Sequence, residues 1–229
     1  MCLLSSTQGN PENSVVKQFM CADKMIPHYY PNQLGRILLL SLEEIIGRNG
    51  ITTVLNTAQL SDFIEDYPPI NLDLQFGYDH VSKIMIALEK VYGQRGGRGF
   101  ARRAGYAAFK YGLREFGPST GVSSLSFRLL PWRRKMRSGL NTLADTLNRL
   151  AGQCVRVEEQ DDRFLWYTDP CPLCHERKTD GPVCQFIVGV LEEMLYWLSG
   201  SKYFIVNETQ CVASGDPTCL VVIDKKPLE

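Results

Sequence analysis

The stretch "CVRVEEQDDRFLWYTD", residues 154–169, decides the fold class. Upstream of it apolar residues recur with a helical period, whereas from Cys154 onward they alternate about the Gln160-Asp161-Asp162 turn. A period of two sends successive side chains to opposite faces of a strand, so the stretch predicts a β-hairpin. A second hairpin follows in "KYFIVNETQCV" (202–212) and "TCLVVID" (218–224), joined through Gly215, Asp216 and Pro217. Between the two lie the loop "PCPLCHERKTDGP" (170–182) and the apolar helix "VCQFIVGVLEEMLYWLSG" (183–200). Helices first and then β-β-loop-α-β-β predict an α+β fold, a small antiparallel sheet packed on several helices.

The helical part starts at Pro31. In "PNQLGRILLLSLEEIIGRNG" (31–50), Leu34, Leu38, Leu42 and Ile45 share one face, and Asn49-Gly50 reads as the stop. A short helix through "ITTVLNTAQL" (51–60) and a break at "DYPPIN" (66–71) follow. The next helix, "FGYDHVSKIMIALEKVYG" (76–93), closes at Gly93. "QRGGRGFARRAGYAAFKYGLREFG" (94–117) is helical and basic, and its small residues leave room for a neighbouring helix or a ligand to come close. A further helix, "PWRRKMRSGLNTLADTLNRLAG" (131–152), turns Leu140, Leu143, Leu147 and Leu150 inward. The organisation expected is a flexible arm at 1–28, an N-terminal helical layer at 29–94 and a ligand-binding domain at 95–229.

Composition narrows the function. Of 229 residues, 44% are hydrophobic, which is ample for a core. Twenty-five basic and 25 acidic side chains cancel, so no overall field draws the chain to nucleic acid, and direct nucleic-acid binding is not expected. The N-terminus lacks the charged start and apolar core of a signal peptide, and no apolar run nears the roughly 20 residues that span a bilayer. A cytoplasmic protein without membrane insertion is expected.

Of the eight cysteines, six lie from residue 154 onward. In a reducing compartment such clustering points to metal or redox chemistry and away from a disulfide framework. Cys171, Cys174, Cys184, Cys211 and Cys219, with His175 and Glu208, supply seven candidate ligands, and zinc takes four such groups tetrahedrally. A redox pair at Cys171-x-x-Cys174 and plain buried thiols are the alternatives, the last suiting Cys154, Cys2 and Cys21. Glu208 and Cys211 are three apart and face opposite sides of a regular strand; binding one ion requires a bulge or turn before Cys211.

Cys-Pro-x-Cys (171–174), Cys184 opening a helix, Glu208-x-x-Cys211 and Gly215-Asp216-Pro217-x-Cys219 together resemble the 4-vinyl reductase domain family, found also in hydrocarbon-binding and phenol-sensing regulators. The resemblance covers roughly residues 95–225. It implies a twisted antiparallel sheet on stacked helices around an apolar cavity, similar to TRAPP subunits and nitric-oxide-sensor domains. It also implies a structural zinc ion held by Cys184, Glu208, Cys211 and Cys219; Cys171, Cys174 and His175, which the resemblance leaves out, stand as an alternative metal or redox set. Trp166, Phe109, Tyr106 and Phe186 are the pocket residues expected, Trp166 matching a tryptophan that bonds the ligand in phenol-sensing relatives.

The function expected is binding of a hydrophobic or tetrapyrrole-like small molecule by a zinc-stabilised sensor or carrier, with a link to bacteriochlorophyll metabolism and a homodimeric state. The alternatives are a tetrapyrrole vinyl reductase and a dimeric scaffold. Catalysis is the less favoured, because no Gly-x-Gly-x-x-Gly follows a strand and no flavin motif is present. His28, His80 and His175 sit on no convincing apolar helix face, which argues against a haem ligand.

Overall fold

The computed structural model describes residues 28–122, 124, 127 and 129–228. Apart from His28, the expected arm at 1–28, with Cys2 and Cys21, lies outside the described residues. A two-stranded ribbon comes first in the fold: β1 (Tyr29–Pro31) pairs antiparallel with β2 (Leu74–Gly77). Strands this short carry no readable period, and the sequence reading passed over both. Between them lie α1 (Asn32–Thr57) and the single turn α2 (Asp62–Glu65).

The Asn49-Gly50 stop is a correction. α1 continues to Thr57, and its break falls at Gly47, with φ 73° and ψ 169°, a conformation open to glycine and costly for any residue with a Cβ. At Gly50 a Cβ would lie 2.8 Å from the hydroxyl of Tyr92, so a larger residue there requires the tip of that side chain to shift. The same kind of break occurs in α3 (Tyr78–Thr120) at Gly93, with φ 75° and ψ 159°, where the sequence closes a helix. The chain then continues as helix through the basic segment.

Three of the basic side chains of that segment are paired. Arg98 pairs with Glu89, Arg102 donates to Glu192 through Nε at 2.7 Å, and Lys110 lies 3.4 Å from Glu193. Its small residues serve helix packing: a Cβ on Gly105 would fall 2.2 Å from the Phe186 carbonyl oxygen, and one on Gly189 1.9 Å from that of Arg102. Backbones at van der Waals distance leave no space for a methyl group. α3 therefore crosses α5 (Gln185–Ser199) in direct main-chain contact.

After α4 (Trp132–Ala151) come β3 (Cys154–Glu159), β4 (Arg163–Asp169), β5 (Phe204–Gln210) and β6 (Cys219–Pro227). They form one antiparallel sheet in the order β3-β4-β6-β5, the two expected hairpins joined along β4 and β6. In that central pair Trp166 stands opposite Val221 and Thr168 opposite Cys219. Val155, Phe164, Trp166, Val206, Val221 and Ile223 on the inner face bury against Leu140, Leu191 and Leu195 of α4 and α5. A second core, built on Leu39, Leu42, Ile51, Ile84 and Leu88, joins α1 to the first half of α3 and extends to the cysteines. The architecture is the α+β arrangement expected.

The α3–α5 crossing gives a paired test by urea denaturation. Gly189→Ala should cost roughly 1–3 kcal/mol or more, because the added methyl group must push the helices apart. Gly99→Ala, where a Cβ meets nothing within 4 Å, should stabilise by about 0.5–1 kcal/mol through helix propensity alone.

Candidate metal centre and adjoining cavity

Five cysteines converge at the inner end of the second hairpin. Cys184 caps the N-terminus of α5; Cys171 and Cys174 flank a 3-10 turn (Pro172–Cys174) in the loop after β4; Cys211 and Cys219 bracket the turn between β5 and β6. All five are buried and free. Cys184, Cys211 and Cys219 form a triangle of sulfurs with edges of 3.8, 3.9 and 3.9 Å. Cys171 lies 3.5 Å from Cys184, and Cys174 lies 3.4 Å from Cys219.

Glu208 reaches this group because β5 is irregular. Glu208 stands opposite Val221 and Gln210 opposite Leu220, so Thr209 is one residue too many for the ladder. The bulge reverses the alternation and turns Cys211 to the face that Glu208 occupies. Beyond it, the Cys211 N–H donates to Asp216 Oδ2 at 2.8 Å and Gly215 takes φ 96°, which folds the chain back to Cys219. The Val212 N–H then points at the Cys219 sulfur, 3.4 Å away.

One oxygen of Glu208 accepts the Cys184 N–H at 2.7 Å, and the other, Oε1, is buried without a partner. Burial, followed by the charge of Cys211, pushes this carboxyl up to about 8. Among the thiols, contact with Cys171 lowers the Cys174 group and raises the Cys184 group. Sulfurs this close share one negative charge readily and several only beside a cation.

Two four-residue groups bring their donor atoms within 4.8 Å of one another: Cys184, Glu208, Cys211 and Cys219, and Cys171, Cys174, Cys184 and Cys219. A buried cysteine cluster able to hold a metal ion is therefore present. Cys171 and Cys174 stand in it, where the family resemblance leaves them outside the ligand set. His175 does not join: its ring packs against His28 and Tyr78. Cys154, half-buried at the start of β3 and outside both donor groups, is disulfide-bonded, so the reading of it as a plain buried thiol is corrected.

An apolar cavity of about 190 Å³ opens beside the cluster, where the two cores meet. Cys171, Cys184 and Cys219 form part of its wall, and Leu38, Val81, Leu143, Leu147, Val190 and Met194 line much of the rest. Phe109, Phe186 and Trp166 line it as well. Tyr106 is a correction: its hydroxyl donates to Glu192 at 2.8 Å, which holds the ring at the α3–α5 surface and out of the cavity. The indole N–H of Trp166 is already committed, donating to Thr168 Oγ1 at 3.0 Å.

Tyr30, Gln153 and Thr168 also line the cavity, and sequence reasoning missed all three. Thr168 had a usable signal, since it lies two residues from Trp166 on an alternating strand. Tyr30 and Gln153 had none: they meet across 123 residues through a 3.2 Å hydrogen bond. Among the described residues no histidine lines the cavity; His80 packs between Phe63 and Phe76.

Helices stacked on one face of a four-stranded antiparallel sheet, with an apolar cavity between, define an H-NOX-like fold. An H-NOX structure from work on the mechanism of H-NOX activation aligns over 87% of this chain and 98% of that chain, with 14% identity and a TM-score of 0.55. The Fe(II) unliganded H-NOX protein from K. algicida aligns over 87% and 97%, with 10% identity and a TM-score of 0.55. The phenol-responsive sensory domain of the transcription activator PoxR aligns over 63% and 74%, with 17% identity and a TM-score of 0.45. Residues 168–225 match the 4-vinyl reductase domain family, so the resemblance drawn from the cysteine motifs holds for the segment that contains all five clustered thiols and Glu208. No curated protein matches the chain. Among the described residues no helix is long and apolar enough to cross a membrane.

The carboxyl of Glu208 gives a pH test on metal-free protein. A group held at about 8 against an ordinary 4.5 favours the folded state fully below pH 4.5, and that contribution is lost as pH rises through 8. Glu208→Gln should remove a loss on the order of 2–4 kcal/mol between those limits, read from denaturant midpoints of the two proteins at each pH. Parallel pH profiles would contradict the assignment.

Proposed function

We propose that the chain is a small-molecule-binding sensor or carrier domain whose cavity wall is stiffened by a structural zinc ion on Cys184, Glu208, Cys211 and Cys219. The observation that carries the zinc reading is the sulfur triangle. Zinc–sulfur bonds of about 2.3 Å in a tetrahedron separate their sulfurs by roughly 3.8 Å, which is the size of the Cys184–Cys211–Cys219 triangle. The partnerless Glu208 Oε1 supplies the fourth donor. With four protein ligands no position stays open for catalysis, and the ion ties the start of α5 to the second hairpin.

The ligand follows from the cavity. About 190 Å³ of mostly apolar space is near the size of the ~150 Å³ engineered cavity that takes up benzene, and below the roughly 300–1,000 Å³ of sites for drug-sized ligands. We therefore favour an apolar molecule of about one ring over a tetrapyrrole. Three cysteines of the cluster line the same cavity, so a bound molecule would press on the metal site, which is a route from occupancy to output. The likeness to H-NOX proteins, at 14% and 10% identity, is one of fold and brings no ligand to this chain.

Two measurements test this reading. Purified protein should contain about one zinc per chain, and its cobalt-substituted form should show charge-transfer bands of three thiolates. Cys211→Ser should abolish stoichiometric binding while Cys171→Ser retains it, and the reverse order would move the ion to the Cys171–Cys174 group. Toluene should raise the thermal midpoint of the wild-type protein and quench Trp166. Leu147→Trp, which fills the cavity, should lose the toluene response and keep the zinc; an unchanged response would place the ligand elsewhere.

A further inference from the structure

The cavity is apolar along most of its wall and polar at one pole. Among the described residues its lining contains no Lys, Arg, Asp or Glu side chain, and besides Trp166, Trp197 and the thiols of Cys171, Cys184 and Cys219 its polar side chains are Tyr30, Thr120, Thr142, Thr146, Gln153 and Thr168. Thr120 and Thr146 spend their hydroxyl hydrogens on carbonyls of their own helices, Gly117 and Thr142. Thr142 is half-buried. Gln153 and Thr168 differ from these: they are 6% and 7% exposed, and each retains hydrogen-bonding capacity that no described residue takes up.

The inventory at each residue is short. Thr168 Oγ1 accepts the indole N–H of Trp166 at 3.0 Å, which occupies a lone pair and leaves the hydroxyl hydrogen to donate. Gln153 uses its carboxamide oxygen on the Tyr30 hydroxyl at 3.2 Å, leaving two amide hydrogens. Val155 stands opposite Thr168 in the β3–β4 ladder, so Gln153, two residues earlier, is its diagonal neighbour at the same end of the sheet. Two buried residues with hydrogens to donate thus stand at one pole of a cavity whose described wall has no Lys, Arg, Asp or Glu and also carries Cys171, Cys184 and Cys219. A buried donor without an acceptor is costly, and a ligand that supplies the acceptor recovers that cost.

We infer that the cavity selects a neutral, one-ring apolar molecule carrying a single oxygen acceptor, a ketone, ester or hydroxyl oxygen, which Gln153 and Thr168 bind while the hydrocarbon body lies toward Leu143, Leu147 and Val190. This deepens the proposed function and rests on the cavity being its ligand site. Trp166 acts here as a positioning residue: its N–H fixes the Thr168 hydroxyl and does not itself meet the ligand. A carboxylate in place of the neutral oxygen would bury an unpaired charge and should be rejected.

Acetophenone and α-methylstyrene, nearly the same shape with and without the carbonyl oxygen, make the test by isothermal titration calorimetry. Wild-type protein should bind acetophenone at least tenfold more tightly and should not bind benzoate. In the double variant Gln153→Met, Thr168→Val the preference should vanish, with α-methylstyrene affinity unchanged within about threefold. Gln153→Met alone, which leaves the Trp166–Thr168 bond intact, should reduce the preference and serves if the double variant does not fold. Equal binding of the two probes by wild-type protein, or a preference that survives both substitutions, would overturn the polar pole and leave the cavity reading standing. If neither probe binds, the cavity reading fails and this inference with it.

Discussion

Five buried thiols held 3.4–3.9 Å from their neighbours are the constraint on which the C-terminal half depends. They come from three places, the loop after β4, the first residue before α5, and the turn of the second hairpin, so the cluster decides where helix and hairpin sit relative to each other. A β-bulge at Thr209 and a left-handed Gly215 bend the hairpin into that arrangement. Both are local distortions of an otherwise regular ladder, and each turns a donor atom inward. The carboxyl of Glu208, buried with one oxygen unpartnered, shows how strongly the same point concentrates negative groups.

The cavity is a consequence of how the two cores meet. α3 is long enough to serve both, packing on α1 on either side of the Gly93 kink and on α5 after it. Main-chain contact at Gly105 and Gly189 draws α5 in close at one point. Around that crossing the bulky residues of α1, α4 and the sheet do not fill the interval, and the gap lies directly against Cys171, Cys184 and Cys219. A cysteine cluster able to hold a metal ion and a cavity that can take a guest therefore share a wall. That adjacency, more than either feature alone, is what makes a sensor or carrier the reading best supported.

Much of this was legible from residue pattern. Alternation from Cys154 onward marked both hairpins, because a strand half-buried on one face must place apolar residues at every second position. Conversely, the three-residue spacing of Glu208 and Cys211 demanded an irregularity before Cys211, and the extra residue at Thr209 supplies one. Tyr106 was judged by residue type, while its place depended on a partner distant in sequence, Glu192. The Asn49-Gly50 stop misled because the glycine that leaves helical geometry is Gly47, three residues earlier.

By itself the sequence determined the α+β class, the two hairpins, the helix-opening Cys184 and the concentration of thiols late in the chain, since period and spacing are properties of neighbouring residues. Tertiary structure alone decided that Cys171 and Cys174 stand inside the cluster, that His175 stands outside it, and that Gln153 and Thr168 form the polar pole of the cavity. Those facts rest on contacts between residues tens of positions apart. Hydrogen-bond reach of about 3 Å is settled only once the elements have packed.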